Sequence, residues 1–317
     1  MKSTALSSRV GSALKRKAVQ GLSLIELMIS MVIGLVIVGG LIAMYSNTLG
    51  STAVAKAQSE MNEDAQYILR VLSHQIQQAG YNPIQRGRST VNTLIGGFGI
   101  FACSNGFSNA TSAANASALT CNAAAAAGGH GLAIVYEADI RNTKATSGSL
   151  PTNCLGNALV QQTDAGSGDT YYVAENRYYV KNNALYCAGT ETTIQEQPLA
   201  DNVEKLEVSL GTAHPTNGTK FVAGYLTPTE IGPATVAGGT VGVDPNLVAL
   251  TPEQRWGKVV TVRICVIMRS DKEVLTEATD YYGCDSSAAS TVTPGDRRLY
   301  RAYVRTIAIR NRMASAS

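Results

Sequence analysis

Gly21-Leu22-Ser23-Leu24-Ile25-Glu26 joins a basic leader to Leu27–Tyr45, a run of 19 residues without a charge. Glu26 is the only charged residue between Lys17 and Lys56. A carboxylate at the lip of an apolar segment is costly unless it is paired, so its presence there is itself a functional signal. At ~1.5 Å per residue the run reaches about 28 Å, close to the ~30 Å hydrocarbon core of a bilayer. The leader cations Lys2, Arg9, Lys15, Arg16 and Lys17 have no acid among them and favour a cytoplasmic N-terminus. The expected arrangement is one membrane span, N-terminus in and C-terminus out. A secretory signal peptide fits less well. Its apolar region is usually ~7–15 residues, with a small-x-small site close behind. Ala53-Val54-Ala55 offers such a site but lies well past Tyr45.

Beyond the apolar run the pattern turns amphipathic. Met61, Ala65, Ile68, Leu69, Leu72 and Ile76 form one helical stripe, with Glu60, Glu63, Asp64, Arg70 and Gln77 on the other faces. Gly80 and Pro83 supply a stop, so the spacing predicts one helix from about Leu24 to Ala79. Its spacing drifts away from heptads, which argues against a coiled coil.

After Pro83 the signal becomes β-like. Strands are expected at 132–137, 170–174, 177–180 and 184–187, with a hairpin turn at Lys181-Asn182-Asn183. Val203–Leu210 alternates with period two and should turn Leu206, Val208 and Leu210 inward. Residues 258–268 and 300–310 complete the strands, and 211–257 reads as a long Gly/Pro/Thr-rich insertion. A long helix followed by many strands is the order of an α+β fold with an antiparallel sheet packed on the helix.

All six cysteines, Cys103, Cys121, Cys154, Cys187, Cys265 and Cys284, follow the apolar run and none forms a CxxC. An even count behind an export segment reads as disulfides in an oxidising compartment. Six cysteines allow more connectivities than sequence can choose among, and the short spacings favour three sequential pairs. Each such closure stabilises by roughly 3 kcal/mol in the chain-entropy model. The low-complexity stretch 103–131 reads as a stapled surface loop.

Composition narrows the function. The 26 basic residues less the five in the leader leave 21 against 23 acidic, a net of −2. That balance gives no global electrostatic case for a nucleic-acid partner. His74, His130 and His214 are isolated, and no Ser/His/Asp grouping, HExxH or phosphate loop is present. The glycine-rich stretches at 96–99 and 128–131 read as turns. The arginines 297, 298, 301, 305, 310 and 312 read as solvent-facing edge protection. No catalytic residue, metal site or cofactor is expected.

Gly21-Leu22 with Glu26 four residues beyond Leu22 resembles the class III signal of type IV prepilins and type II secretion pseudopilins. Leu22 stands where Phe or Met is commoner, residues 27–60 contain no Pro, and the 21-residue leader is long for a major pilin. The 177–187 hairpin, the strand ending Met268-Arg269-Ser270 and the final strand ending Arg310-Asn311 sharpen the likeness to the PilW family of minor type IV pilins.

The resemblance implies a pilin-like fold in three parts: 1–21 a leader, 22–82 a transmembrane and amphipathic helix, and 83–317 a periplasmic β-rich domain with disulfide-stapled loops. It implies cleavage after Gly21 by prepilin peptidase, N-methylation of Leu22, and a register role for Glu26 against a neighbouring subunit's N-terminal amine. The implied partners are other minor pilins, the major pilin, the inner-membrane assembly platform and a tip adhesin. The implied role is priming of pilus assembly, from the inner membrane to the fibre tip. A J-like type II secretion pseudopilin shares the architecture. A single-pass periplasmic receptor or enzyme with an uncleaved anchor is the reading from another class.

Overall fold

The computed structural model describes residue 21 and residues 23–83, 99–190, 194–213, 221–233, 242–285 and 291–313. The leader up to residue 20, Leu22, residues 96–98 and His214 lie outside the described residues. Two compact units, 1–52 and 53–317, divide the chain, and each is described by itself.

Helix α1 is Leu24–Gln78, 55 residues long. Within the larger unit its stripe Ala57, Met61, Ala65, Ile68, Leu69, Leu72 and Ile76 is buried. It joins the strand side chains in one core cluster. The helix stops where the chain supplies the means. Gly80 takes φ +69°, a region open to glycine, and its N–H leaves the helix for Val135 O at 2.9 Å. The last carbonyls would otherwise be orphaned. The Asn311 amide donates to those of Gln77, Gln78 and Ala79 at 3.5, 3.2 and 3.4 Å.

The first sheet holds β1 (Ile100–Cys103), β2 (Gly131–Glu137), β3 (Gln161–Thr163), β4 (Thr170–Lys181), β5 (Ala184–Gly189) and β6 (Gln195–Asp201). Its order is β1-β2-β4-β5-β6, antiparallel throughout, with β3 alongside β4. The β4–β5 hairpin turns on Asn182 and Asn183, both at positive φ, which suits the twist of a two-residue hairpin. The second sheet takes β7 (Val203–Ala213), β8 (Val222–Leu226), β9 (Val259–Glu273) and β12 (Arg298–Ala308) in the antiparallel order β12-β9-β7-β8. β10 (Tyr281–Tyr282) and β11 (Thr291–Val292) form a separate two-stranded ribbon that packs on β12 through Tyr281 and Tyr300. Short helices α2 (Pro228–Ile231), α3 (Pro252–Gly257) and α4 (Arg310–Met313) complete the described elements. Disulfides join Cys103 to Cys121, Cys154 to Cys187 and Cys265 to Cys284.

β4 is one strand where the sequence predicts two. The reading breaks at Glu175-Asn176, and the structure buries both residues, with Arg177 fully enclosed beside them. Alternation along the strand then divides their work. Asn176 points to the helix and donates to Gln75 Oε1 at 2.8 Å. Glu175 and Arg177 point to the other face, beneath the loop closed by Cys103–Cys121. Arg177 Nε and Nη2 donate to Glu175 Oε1 at 2.9 and 2.6 Å, and the guanidinium also reaches Ala110 O and Ala113 O. The Ala116 N–H donates to Glu175 Oε2 at 2.8 Å. The alanine-rich loop is held by its disulfide, by Leu119 and Phe107 packed on the core, and by this buried ion pair acting on its backbone.

Gly128-Gly129-His130-Gly131, expected to be a turn, is a clasp between the sheets. Leu206 N donates to Gly128 O at 3.0 Å, and His130 N to Leu206 O at 2.7 Å. His130 Nδ1 lies 2.9 Å from Val208 N and 3.1 Å from Val208 O, so the ring bonds the Val208 backbone in either tautomer. A Cβ on Gly128 would meet Val180 O at 2.4 Å, and one on Gly129 would meet Leu206 O at 2.4 Å. Close backbone approach therefore requires the glycines.

Burial lowers the His130 pKa, against the opposing pull of Glu207. A base whose folded pKa lies below its ordinary 6.5 contributes stability that is complete above that value and is lost as pH falls through it. The expected result is a urea midpoint that drops on crossing pH 6.5 from above. His130→Ala should flatten that step and cost about 1–3 kcal/mol at higher pH by removing the ring's bond to the Val208 backbone. An unchanged step in the variant would assign the pH dependence to another group.

Candidate functional site

Ser23 opens α1. Its backbone oxygen accepts from Leu27 N at 3.2 Å and its Oγ accepts from Glu26 N at 3.3 Å. Ser23-x-x-Glu26 is the sequence form of a capping box, a signal that hydropathy alone passes over. Glu26 lies in the first turn, where the helix dipole favours an anion. Its side chain is exposed, and among the described residues no cation forms an ion pair with it. Glu26 thus has one local reason to be where it is, and a charge that the described residues leave unmatched.

Among the described residues of its own unit, nothing packs around the helix that follows. Leu24 is 79% exposed and Leu35 77% exposed, and the most apolar window is unburied. A side chain of this size left in water forgoes about 1.5–3 kcal/mol relative to an apolar site. This face therefore belongs in lipid or against other apolar helices. The hydroxyls along it are already satisfied. Ser30 Oγ donates to Glu26 O at 2.7 Å, Thr48 Oγ1 to Met44 O at 2.9 Å and Thr52 Oγ1 to Thr48 O at 2.7 Å. Back-bonding of this kind lets a polar residue enter hydrocarbon without an orphaned donor.

The structure does not bring the remaining polar residues into a reaction centre. His74 is on the exposed side of α1 and bonds Gln78 within the same helix. His130 is spent on the clasp. No group of three or more His, Cys, Asp or Glu capable of holding a metal occurs among the described residues. Of the C-terminal arginines, Arg297 pairs with Glu273 at 2.7 Å and Arg298 with Asp296 at 3.3 Å. Arg312 turns inward to the Val259 and Trp256 carbonyls. These are structural tasks beyond the edge protection expected of them, and Asn311 closes α1 instead of ending a strand.

An unburied apolar helix headed by a lone carboxylate and continued into a disulfide-stapled antiparallel domain is the design of a type IV pilin-like protein. Residues 16–42 match the prokaryotic N-terminal methylation motif of prepilin-like proteins. More narrowly, residues 170–311 match the model of PilW, type IV pilus-assembly protein W, so that the chain carries a PilW domain behind its prepilin-type N-terminus. The matched span runs from β4 to the Asn311 cap. Proteins of this family are structural rather than catalytic. A type IV-like pilin from Thermus thermophilus is similar over 82% of this chain and 98% of its own, at 12% identity and a TM-score of 0.37. No curated protein matches the chain in sequence.

Proposed function

We propose that the chain is a minor pilin that helps to prime type IV pilus assembly. It is made as an inner-membrane precursor, with residues 1–21 a cytoplasmic leader, 22–82 the helix and 83–317 a periplasmic domain. Prepilin peptidase cuts after Gly21, and the new amine of Leu22 is methylated. The subunit then joins other minor pilins at the fibre tip, above the major pilin, with the assembly platform below and an adhesin beyond. In this reading Glu26 meets the amine of a neighbouring subunit inside the apolar bundle, which offsets the desolvation of both charges and fixes axial register. The observation that carries it is the unmatched Glu26 carboxylate at the head of an unburied apolar helix, in a chain whose other end matches PilW.

Intact-mass measurement of the protein extracted from membranes tests the processing. The expected species begins at Leu22 and carries one added methyl group. A full-length species, or one cut near Ala55, would refute the pilin role. Co-purification with other prepilin-like chains tests the priming complex, and their absence in a correctly processed preparation would refute that part alone.

A further inference from the structure

The main strand orders of the two sheets end in β1, β6, β8 and β12, and the first three are poorly suited to further pairing. β1 is short and wholly buried. β6 carries Pro198 and a register shift against β5, two features that spoil a pairing edge. β8 is only five residues long, contains Gly224 and shifts register against β7, and beyond it β7 is occupied over Leu206–Val208 by the Gly128–His130 clasp. β12 is different. It is 11 residues long, lacks proline, pairs only with β9, and is exposed at Arg301, Val304, Arg305 and Thr306. Its only irregularity against β9 lies at its start, between Arg298 and Tyr300.

The two faces along this edge differ in chemistry. Arg301 and Arg305 share one face with Tyr303, whose hydroxyl donates to Asn62 Oδ1 at 2.5 Å. Neither arginine forms an ion pair with a described residue, and Arg301 lies 6.0 Å from the Tyr303 ring. On the opposite face Ala302 and Val304 line a groove of about 570 Å³ whose walls include Tyr281, Tyr282 and Tyr300 together with the charged Arg263, Asp280 and Arg301. Tyr281 and Tyr300 stack at 4.9 Å, and the Cys265–Cys284 disulfide fixes the loop that carries Tyr281 and Tyr282 against β9. Tyr282 is 60% exposed and Val304 52% exposed, so the groove presents apolar surface to an incoming chain.

We propose that β12 accepts an extended segment of another chain in which acidic residues alternate with apolar ones. Strand addition draws affinity from main-chain hydrogen bonds and selectivity from alternate side chains. One set of side chains would lie beside Arg301 and Arg305, and the other would enter the groove beside Val304 and Tyr282. A second copy of β12 is disfavoured, because it would set arginine against arginine across the new pair. The inference concerns a surface of the larger unit and does not depend on the processing or priming of the chain.

Hydrogen exchange on the full-length protein in detergent tests it. The probes are a short peptide alternating glutamate with valine, a permuted peptide with its glutamates grouped, and a single-stranded oligonucleotide. The alternating peptide should slow exchange at amides within 300–308 and nowhere else. Arg305→Glu should weaken it about tenfold, since cross-strand pairs are worth ~0.2–1 kcal/mol and a like charge reverses the sign. Arg305→Gln should lose less, and Val304→Lys, acting on the groove face alone, should remove the protection. Both positions are exposed, and unchanged melting temperatures would confirm that the fold is intact. Equal protection by the permuted peptide, competition by the oligonucleotide, or no protection of β12 would each overturn the proposal.

Discussion

Arg177→Ala should destabilise the larger unit by about 3–5 kcal/mol, the usual cost of removing one partner from a buried ion pair. Arg177 is fully buried and supplies Glu175 with its only cation within salt-bridge reach among the described residues. Without it, a carboxylate 6% exposed stays in the core, and the carbonyls of Ala110 and Ala113 lose their donor. Burial already raises the Glu175 pKa, and this outweighs the lowering by Arg177 and by the Ala116 N–H. The variant should therefore relieve itself by protonation. Its deficit should be largest at neutral pH and shrink as pH falls through the raised value, because neutral Glu175 no longer buries a charge. Denaturant titration of the full chain, followed across pH, reads both effects. The double substitution Glu175→Leu with Arg177→Met should recover the part of the loss that comes from the unpaired charge, but not the bonds to the Ala110 and Ala113 carbonyls and the Ala116 N–H. Limited proteolysis adds a local readout, with cleavage within 104–120 quickening in both variants, because each loses the side-chain bonds to the loop backbone. A loss below about 1 kcal/mol would show that the loop is held by its disulfide and that the pair adds little.

This pair also marks where the sequence stops being readable. Helix α1 was legible because its stripe repeats at 3.6 residues and Gly80 follows at once. β9 and the alternating half of β7 were legible for the matching reason with period two. β4 was split because Glu175-Asn176 looks like a surface interruption, and nothing in one dimension says that a carboxylate and a guanidinium two positions apart will be buried together. Their partners are backbone atoms of an alanine-rich loop, which leave no mark in hydropathy. The Gly128–Gly131 clasp is opaque for the same reason, since a glycine needed for close approach resembles a glycine needed for a turn.

Other misses had a signal that went unread. Thr227-Pro228-Thr229-Glu230 and Thr251-Pro252-Glu253-Gln254 both form full capping boxes with Pro at the first turn. They turn part of an expected insertion into α2 and α3. That insertion seats Trp256 against Phe101 at 4.9 Å, with its indole N–H on Gly232 O at 3.2 Å. Ser23-x-x-Glu26 is the same signature at the head of α1, and it bears on what Glu26 does. A capping role and a pairing role both place a carboxylate at this position, and composition cannot separate them.

Substitution can. Gln serves a capping box about as well as Glu but carries no charge. If Glu26 acts by meeting a neighbour's amine, Glu26→Gln and Glu26→Ala should both insert, be cut after Gly21 and be methylated, yet fail to enter fibres. Loss of one partner from a buried pair costs about 3–5 kcal/mol, so incorporation should fall roughly a hundredfold or more. If Glu26 acts only as a cap, Glu26→Gln should incorporate normally. Ser23→Ala should then be the damaging change, at about 0.5–2 kcal/mol of helix stability. Quantifying the processed subunit in sheared fibres against the membrane pool distinguishes these outcomes. Normal incorporation of Glu26→Gln would remove the ion pair from the account and leave the apolar helix alone to bring the subunit into the bundle. The Ser23 variant guards against misreading, because a deficit there equal to that of Glu26→Gln would show that fraying of the first turn, rather than charge, limits entry.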